Sequence, residues 1–110
     1  ENPASIVSYH YTVDDRYIIQ HLPWNETAQH TGTKVGNEGS IGIEICENID
    51  CDLYMAEDNA ARLVADLLKE TGIPSDRVVP HKFWSGKNCP RLLLPRWEDW
   101  IMRVKRYSGR

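Results

Sequence analysis

The chain has 110 residues, 41% of them hydrophobic, and a formal net charge of −3. That composition suits one domain with a single core and excludes a disordered chain. It carries no broad basic excess to neutralise phosphates, which argues against nucleic acid as the main partner, and no apolar run approaches the length of a membrane span.

From Ser8 to Val13 the run Ser-Tyr-His-Tyr-Thr-Val is rich in aromatic and β-branched residues and predicts a strand. Asp14-Asp15-Arg16 supplies a turn, and residues 17–22 read as the hairpin partner, stopped by Pro23. Residues 24–39 read as a loop, with turn-forming residues and little periodicity. Residues 40–46 are the clearest strand: Ile41, Ile43 and Ile45 share one face, and Gly42, Glu44 and Cys46 share the other. A carboxylate between a glycine and a cysteine is unusual for a solvated face, and Gly42 lets another group approach the backbone.

An acidic loop follows over residues 47–54, with Glu47, Asp50 and Asp52 reading as solvated and a calcium site left open. Met55 to Thr71 predicts a helix, with Ala56, Ala60, Leu63, Val64, Leu67 and Leu68 on one stripe. Glu57 and Asp58 are expected in its first turn, Lys69 in its last, and Gly72 at its end. Val78 and Val79 read as a short strand leading to His81. Pro95 is expected to open a final helix that buries Trp97, Trp100, Ile101 and Val104, with Arg103, Lys105 and Arg106 at its C-terminal end suiting the dipole.

The stretch Pro80 to Pro90 carries the densest chemistry. His81 and Cys89 offer imidazole nitrogen and thiolate sulfur, a donor pair that suits zinc. Eight positions separate them, too many for one helical turn, so Ser85, Gly86 and the flanking prolines predict a loop that folds back. In an extended segment Lys87 would share a side with Cys89, and a cation there suits a reaction that builds negative charge on oxygen. The alternative is a histidine and a packed thiol with no metal between them. The three cysteines form no disulfide framework; Cys46 and Cys51 are able to pair, and reduced thiols are expected. The chain starts at Glu1 rather than Met, which reads as processing or trimming upstream.

Together, Ser8-Tyr-His-Tyr-Thr-Val-Asp14, Gln29-His-Thr-Gly32, Asn37-Glu-Gly-Ser-Ile-Gly-Ile-Glu44, Pro80-His81 and Ser85-Gly-Lys-Asn-Cys-Pro90 resemble the zinc-dependent N-acetylmuramoyl-L-alanine amidases of the amidase-2 type. The peptidoglycan-recognition proteins belong to the same superfamily, and the likeness looks closest to catalytic domains of phage and prophage endolysins. The resemblance implies an α/β fold, a mixed β-sheet flanked by α-helices, with residues 1–110 as the amidase catalytic domain. It implies zinc held by His81 and Cys89, Lys87 near the metal, Glu44 as the strand carboxylate and Tyr9 as an additional hydrogen-bond donor. His30 falls in a loop bordering the substrate groove. Trp84 either packs under the metal loop or stacks on substrate. His10 and His21 read as structural.

The family's first zinc ligand is a histidine on an N-terminal strand followed by a helix. That strand, helix and ligand are expected in a segment before Glu1, which leaves the site incomplete within these residues. The implied activity is bacteriolytic cleavage of the amide between N-acetylmuramic acid and L-alanine by a zinc-bound water. Peptidoglycan is the implied partner, with no nucleic acid and no membrane, and relatives carry a separate wall-binding domain, expected here after Arg110. The implied location is secreted or cell wall, and cytoplasmic until lysis for a phage endolysin. A non-catalytic peptidoglycan-binding module and an inactive amidase fragment are the rival readings; Cys89, Lys87 and Glu44 favour the enzyme.

Overall fold

The computed structural model describes residues 9–29, 31 and 33–109. Three short strands, β1 (Tyr11–Val13), β2 (Ile18–Gln20) and β3 (Ile43–Ile45), form one sheet in the order β2-β1-β3. β1 and β2 are the antiparallel hairpin expected from the sequence, and the Asp14 carboxylate closes its turn by accepting the backbone N–H groups of Arg16 and Tyr17. Those two hydrogen bonds hold its pKa below the usual value. β3 runs parallel to β1 with Thr12 beside Glu44, so the sheet is mixed. Pairing in β1 starts only at Tyr11, because the N–H groups of His10 and Tyr11 both donate to the carbonyl of Gly42, at 3.0 and 3.1 Å. Ser8, where the predicted strand began, lies outside the described residues.

One face of the sheet is covered by α2 (Leu53–Thr71), which α4 (Trp97–Ser108) packs against in turn. Val13, Ala60, Ala61, Val64, Ala65, Leu68, Leu93, Trp100 and Val104 form the shared core, with Ile43, Ile45, Trp97 and Ile101 packed on it. The two stripes read from the sequence are therefore the buried faces. Alternation along β3 leaves Glu44 on the opposite, open face of the sheet.

Several expectations are corrected. α2 begins at Leu53, because the Asp52 carboxylate caps it by accepting the N–H of Met55 at 3.2 Å. Glu57 and Asp58 thus lie beyond the first turn, and both are buried. Glu57 receives a two-point contact from Arg96, at 2.8 and 2.7 Å, and its carbonyl accepts the Trp100 indole N–H at 2.8 Å. Asp58 accepts from Tyr107 at 2.6 Å and from Arg62 at 3.1 Å. Arg103 turns inward to Asp58, 3.6 Å away, and stacks on Tyr54 rather than serving the helix end. Gly72 ends α2 in the left-handed conformation, as expected.

Residues 34–39 of the expected loop form a helix, α1 (Lys34–Gly39), because Thr33 caps it by accepting the N–H of Gly36. Val78 and Val79 are not a strand: the Val78 N–H is spent on Ser75, completing the 3-10 turn Ser75–Arg77. Pro95 lies in a 3-10 turn, Leu94–Arg96, that runs directly into α4.

Candidate active site

The segment that carries His81 and Cys89 folds back on itself. It opens with a single helical piece, α3 (His81–Ser85), and Gly86 ends that helix at φ 76°, donating its N–H to Lys82. The N–H of Lys82 in turn donates to the carbonyl of Cys89 at 3.2 Å, which ties the Cys89 end of the loop to the residue beside His81. Between them the chain is not the extended segment that would put Lys87 on the same side as Cys89. The Cys89 N–H reaches the Lys87 carbonyl at 2.7 Å, a tight turn, and the Lys87 N–H reaches the Ser85 hydroxyl.

The orientation of His81 follows from one contact. Its Nε2 lies 3.0 Å from the carbonyl oxygen of Thr31. A carbonyl only accepts, so Nε2 carries the proton and a neutral ring keeps its lone pair on Nδ1. A backbone carbonyl on the far nitrogen is the usual partner of a metal-ligating histidine. The Thr31 carbonyl is itself held: its N–H donates to Asn37 Oδ1 at 2.8 Å, its hydroxyl to the same oxygen at 2.9 Å, and Asn37 Nδ2 donates to Gln29 at 3.0 Å. Gly36 makes this packing possible. A Cβ there would stand 2.5 Å from Thr31 Oγ1, 2.8 Å from Thr33 Oγ1 and 2.8 Å from the ring of Trp84. Trp84 therefore rests on α1, and its half-buried ring meets Phe83 edge-on.

On the open face of the sheet, the Tyr9 hydroxyl hydrogen-bonds to Glu44. Burial, followed by the Glu44 charge and that bond, pushes the Tyr9 pKa up to about 12. The phenol thus keeps its proton and serves as a donor to the carboxylate. Glu44 is exposed and opens onto a cavity of about 230 Å³, shared with Thr12, Tyr17, Ile19, Cys46 and Glu47. Cys89 senses the same neighbourhood. Burial pushes its thiol pKa up, Lys87 opposes this, and the charges of Glu47 and Glu44 add to it. Tyr9, Glu44, Lys87 and Cys89 are therefore electrostatically linked, and a cation at the thiol would relieve the cost of its ionised form.

The other histidines differ. His10 is fully buried, donates from Nε2 to the Glu26 carbonyl and accepts the Gly42 N–H on Nδ1 at 2.9 Å, so neither ring nitrogen is left for a metal. His21 Nε2 is 2.8 Å from the Thr12 hydroxyl. His30 lies outside the described residues. Among the described residues, no group of three or more His, Cys, Asp and Glu side chains is arranged to hold a metal ion. In the acidic loop Asp52 is the helix cap, and Glu47 lies 3.5 Å from Arg91.

The family model described as N-acetylmuramoyl-L-alanine amidase, Amidase_2, matches residues 1–92. The chain belongs to the amidase-2 family. It is 52% identical over 104 residues to the N-acetylmuramoyl-L-alanine amidase CwlH of Bacillus subtilis (strain 168), covering 92% of this chain and 42% of CwlH. It spans 42% of CwlH and 34% of XlyA from the same organism, less than half of each. Among solved structures, the catalytic domain of XlyA is similar with a TM-score of 0.87 at 50% identity, over 94% of this chain and 69% of that one. A mutant endolysin from Bacillus subtilis gives a TM-score of 0.88 at 50% identity, over 94% and 68%. The amidase-2 fold is thus the mixed sheet and helices described above. Among its described residues, no helix is long and apolar enough to cross a membrane.

The residue pattern led to the loop and to Glu44 but not to the Thr31 carbonyl. Thr31-Gly32-Thr33 reads only as turn chemistry, and a backbone oxygen leaves no mark in the sequence.

Proposed function

We propose that the protein hydrolyses the amide between N-acetylmuramic acid and L-alanine in peptidoglycan, with zinc as cofactor, and that residues 1–110 belong to its catalytic domain. In this reading His81 Nδ1 and Cys89 Sγ hold the ion, and a third protein ligand, a histidine, completes the set. The observation that supports it most is the His81–Thr31 contact, which fixes the tautomer that a ligating imidazole needs. When bound, zinc supplies Lewis acidity that polarises the amide carbonyl and acidifies water.

The chain's own groups do the rest. Glu44 accepts a proton from the attacking water and returns it to the departing alanine nitrogen as the C–N bond breaks. The Tyr9 phenol holds that carboxylate in position. The Lys87 ammonium stabilises the oxyanion of the tetrahedral intermediate. Contact with the glycan and peptide is assigned to His30 and to the half-buried Trp84 ring.

Purified cell walls incubated with the protein and zinc test this reading. New amino-terminal alanine should be released, with no new reducing sugar ends. Walls that retain the protein but yield no alanine amino termini would refute hydrolysis and leave a peptidoglycan-binding module.

A further inference from the structure

The amidase chemistry uses one thiol and leaves two, which lie together. Cys46 follows β3 and is fixed there by its N–H bond to the Val13 carbonyl at 2.8 Å. The chain then turns, with the Cys51 N–H on the Asn48 carbonyl at 2.9 Å, and comes back just before α2. The Cys51 thiol lies 3.8 Å from the Cys46 carbonyl oxygen and is in hydrogen-bond contact with the Cys46 side chain. Next to it, the Asp52 carboxylate caps α2 and the Asp52 N–H bonds to Asp15 at 3.1 Å. Both thiols are free and half-buried, and Cys46 lines the cavity beside Glu44, which gives a small reagent a way in. Each sits close to the end of a regular element, and their side chains are already in contact, which is the proximity a disulfide needs.

We propose that Cys46 and Cys51 form a redox-responsive dithiol that closes to an intramolecular disulfide by exchange with a small-molecule disulfide. The Cys46 thiolate attacks one sulfur of the reagent, breaking its S–S bond and releasing one thiol. Cys51 then gives up its proton and attacks the Cys46 sulfur, breaking the mixed disulfide and releasing the second thiol. One S–S bond and two S–H bonds become one S–S bond and two S–H bonds, and two electrons pass from protein to reagent. Burial and the bond to Cys46 push the Cys51 pKa up to about 11, so the second step is faster in alkaline buffer. The closed form staples the turn between β3 and α2.

Oxidised glutathione is the probe. The protein is incubated with it, alkylated, cleaved after Glu47 or before Asp50 so that the two cysteines fall on separate peptides, and mapped by mass spectrometry. The expected product has lost two alkylatable thiols, contains a linked Cys46–Cys51 peptide pair, and recovers both thiols on reduction. Cys51→Ser, checked for folding by circular dichroism, should lose the cross-link and accumulate a single glutathione adduct on Cys46. Cys89→Ser should still give the cross-link. Glutathione adducts on wild-type Cys46 and Cys51 without a linked pair, or a pair that includes Cys89, would overturn the proposal.

Discussion

Replacing Gly36 with alanine tests whether the seat beneath His81 is as tight as its geometry implies. The new methyl would meet Thr31 Oγ1 at 2.5 Å, Thr33 Oγ1 at 2.8 Å and Trp84 Cδ2 at 2.8 Å. None of the three is the loose end of a flexible side chain. Thr31 is tied to Asn37, Thr33 caps α1, and the bulky indole is half-buried against Phe83. Overpacking of this kind costs about 1–3 kcal/mol, and three simultaneous contacts put it near the upper end. Alanine regains roughly 0.5–1 kcal/mol of helix propensity, which leaves a net loss of about 2 kcal/mol. Since Thr31 carries the carbonyl that orients His81, zinc affinity should also fall, by about tenfold or more. Urea denaturation gives the first quantity and competition with a chelator the second. Gly39→Ala is the control, because a Cβ there meets nothing within 4 Å, and it should leave both unchanged or raise stability slightly. A Gly36→Ala protein as stable as the wild type, with equal zinc affinity, would mean that the seat has room to spare and does not orient His81.

Arg96→Ala strands the Glu57 carboxylate, whose side chain is 2% exposed, while the arginine side chain it loses is 46% exposed; the expected destabilisation is at the low end of broken buried pairs, about 3 kcal/mol by urea denaturation, and a loss under about 1 kcal/mol would contradict the pairing. Burial alone would raise the Asp58 pKa, but the hydrogen bonds from Tyr107 and Arg62 and the charge of Arg103 outweigh it and hold it below 3.8. A depressed carboxylate stabilises the fold above its unfolded pKa and stops doing so as pH falls through its folded one. Asp58→Asn should therefore flatten the loss of stability below about pH 4 while lowering stability at neutral pH, and an unchanged acid limb in thermal melts would count against it. Glu44→Gln should lower release of amino-terminal alanine by about 10²–10⁴-fold with wall binding retained, and near-normal release would remove Glu44 from the proton transfer.

The parts of the fold that depend on periodicity were legible in the sequence. The stripe from Ala56 to Leu68, the Trp100–Val104 face, the hairpin and the β3 alternation each repeat with the period of the element that buries them. What escaped depends on contacts between distant segments. Glu57 looks like a first-turn carboxylate until Asp52 is seen to cap the helix earlier and Arg96 to arrive from the far end of the chain. Arg103 looks like a dipole partner until Asp58 and Tyr54 draw it inward. Val78 and Val79 have strand composition, yet the Val78 N–H is spent locally. Around the site, the foldback of residues 81–89 was readable from Ser85, Gly86 and the prolines. Its helical start and the tight turn at Lys87 were not, because they are decided by backbone hydrogen bonds, which side-chain identity does not reveal.

Cobalt(II) substitution tests whether His81 and Cys89 hold one metal ion. Cobalt titrated into the protein should produce a sulfur-to-metal charge-transfer band from the Cys89 thiolate, together with the visible absorption of a tetrahedral site. Cys89→Ser should abolish the first, and His81→Ala should weaken binding and shift the second. Cobalt that binds without a thiolate band, or spectra indifferent to both substitutions, would contradict a shared ion.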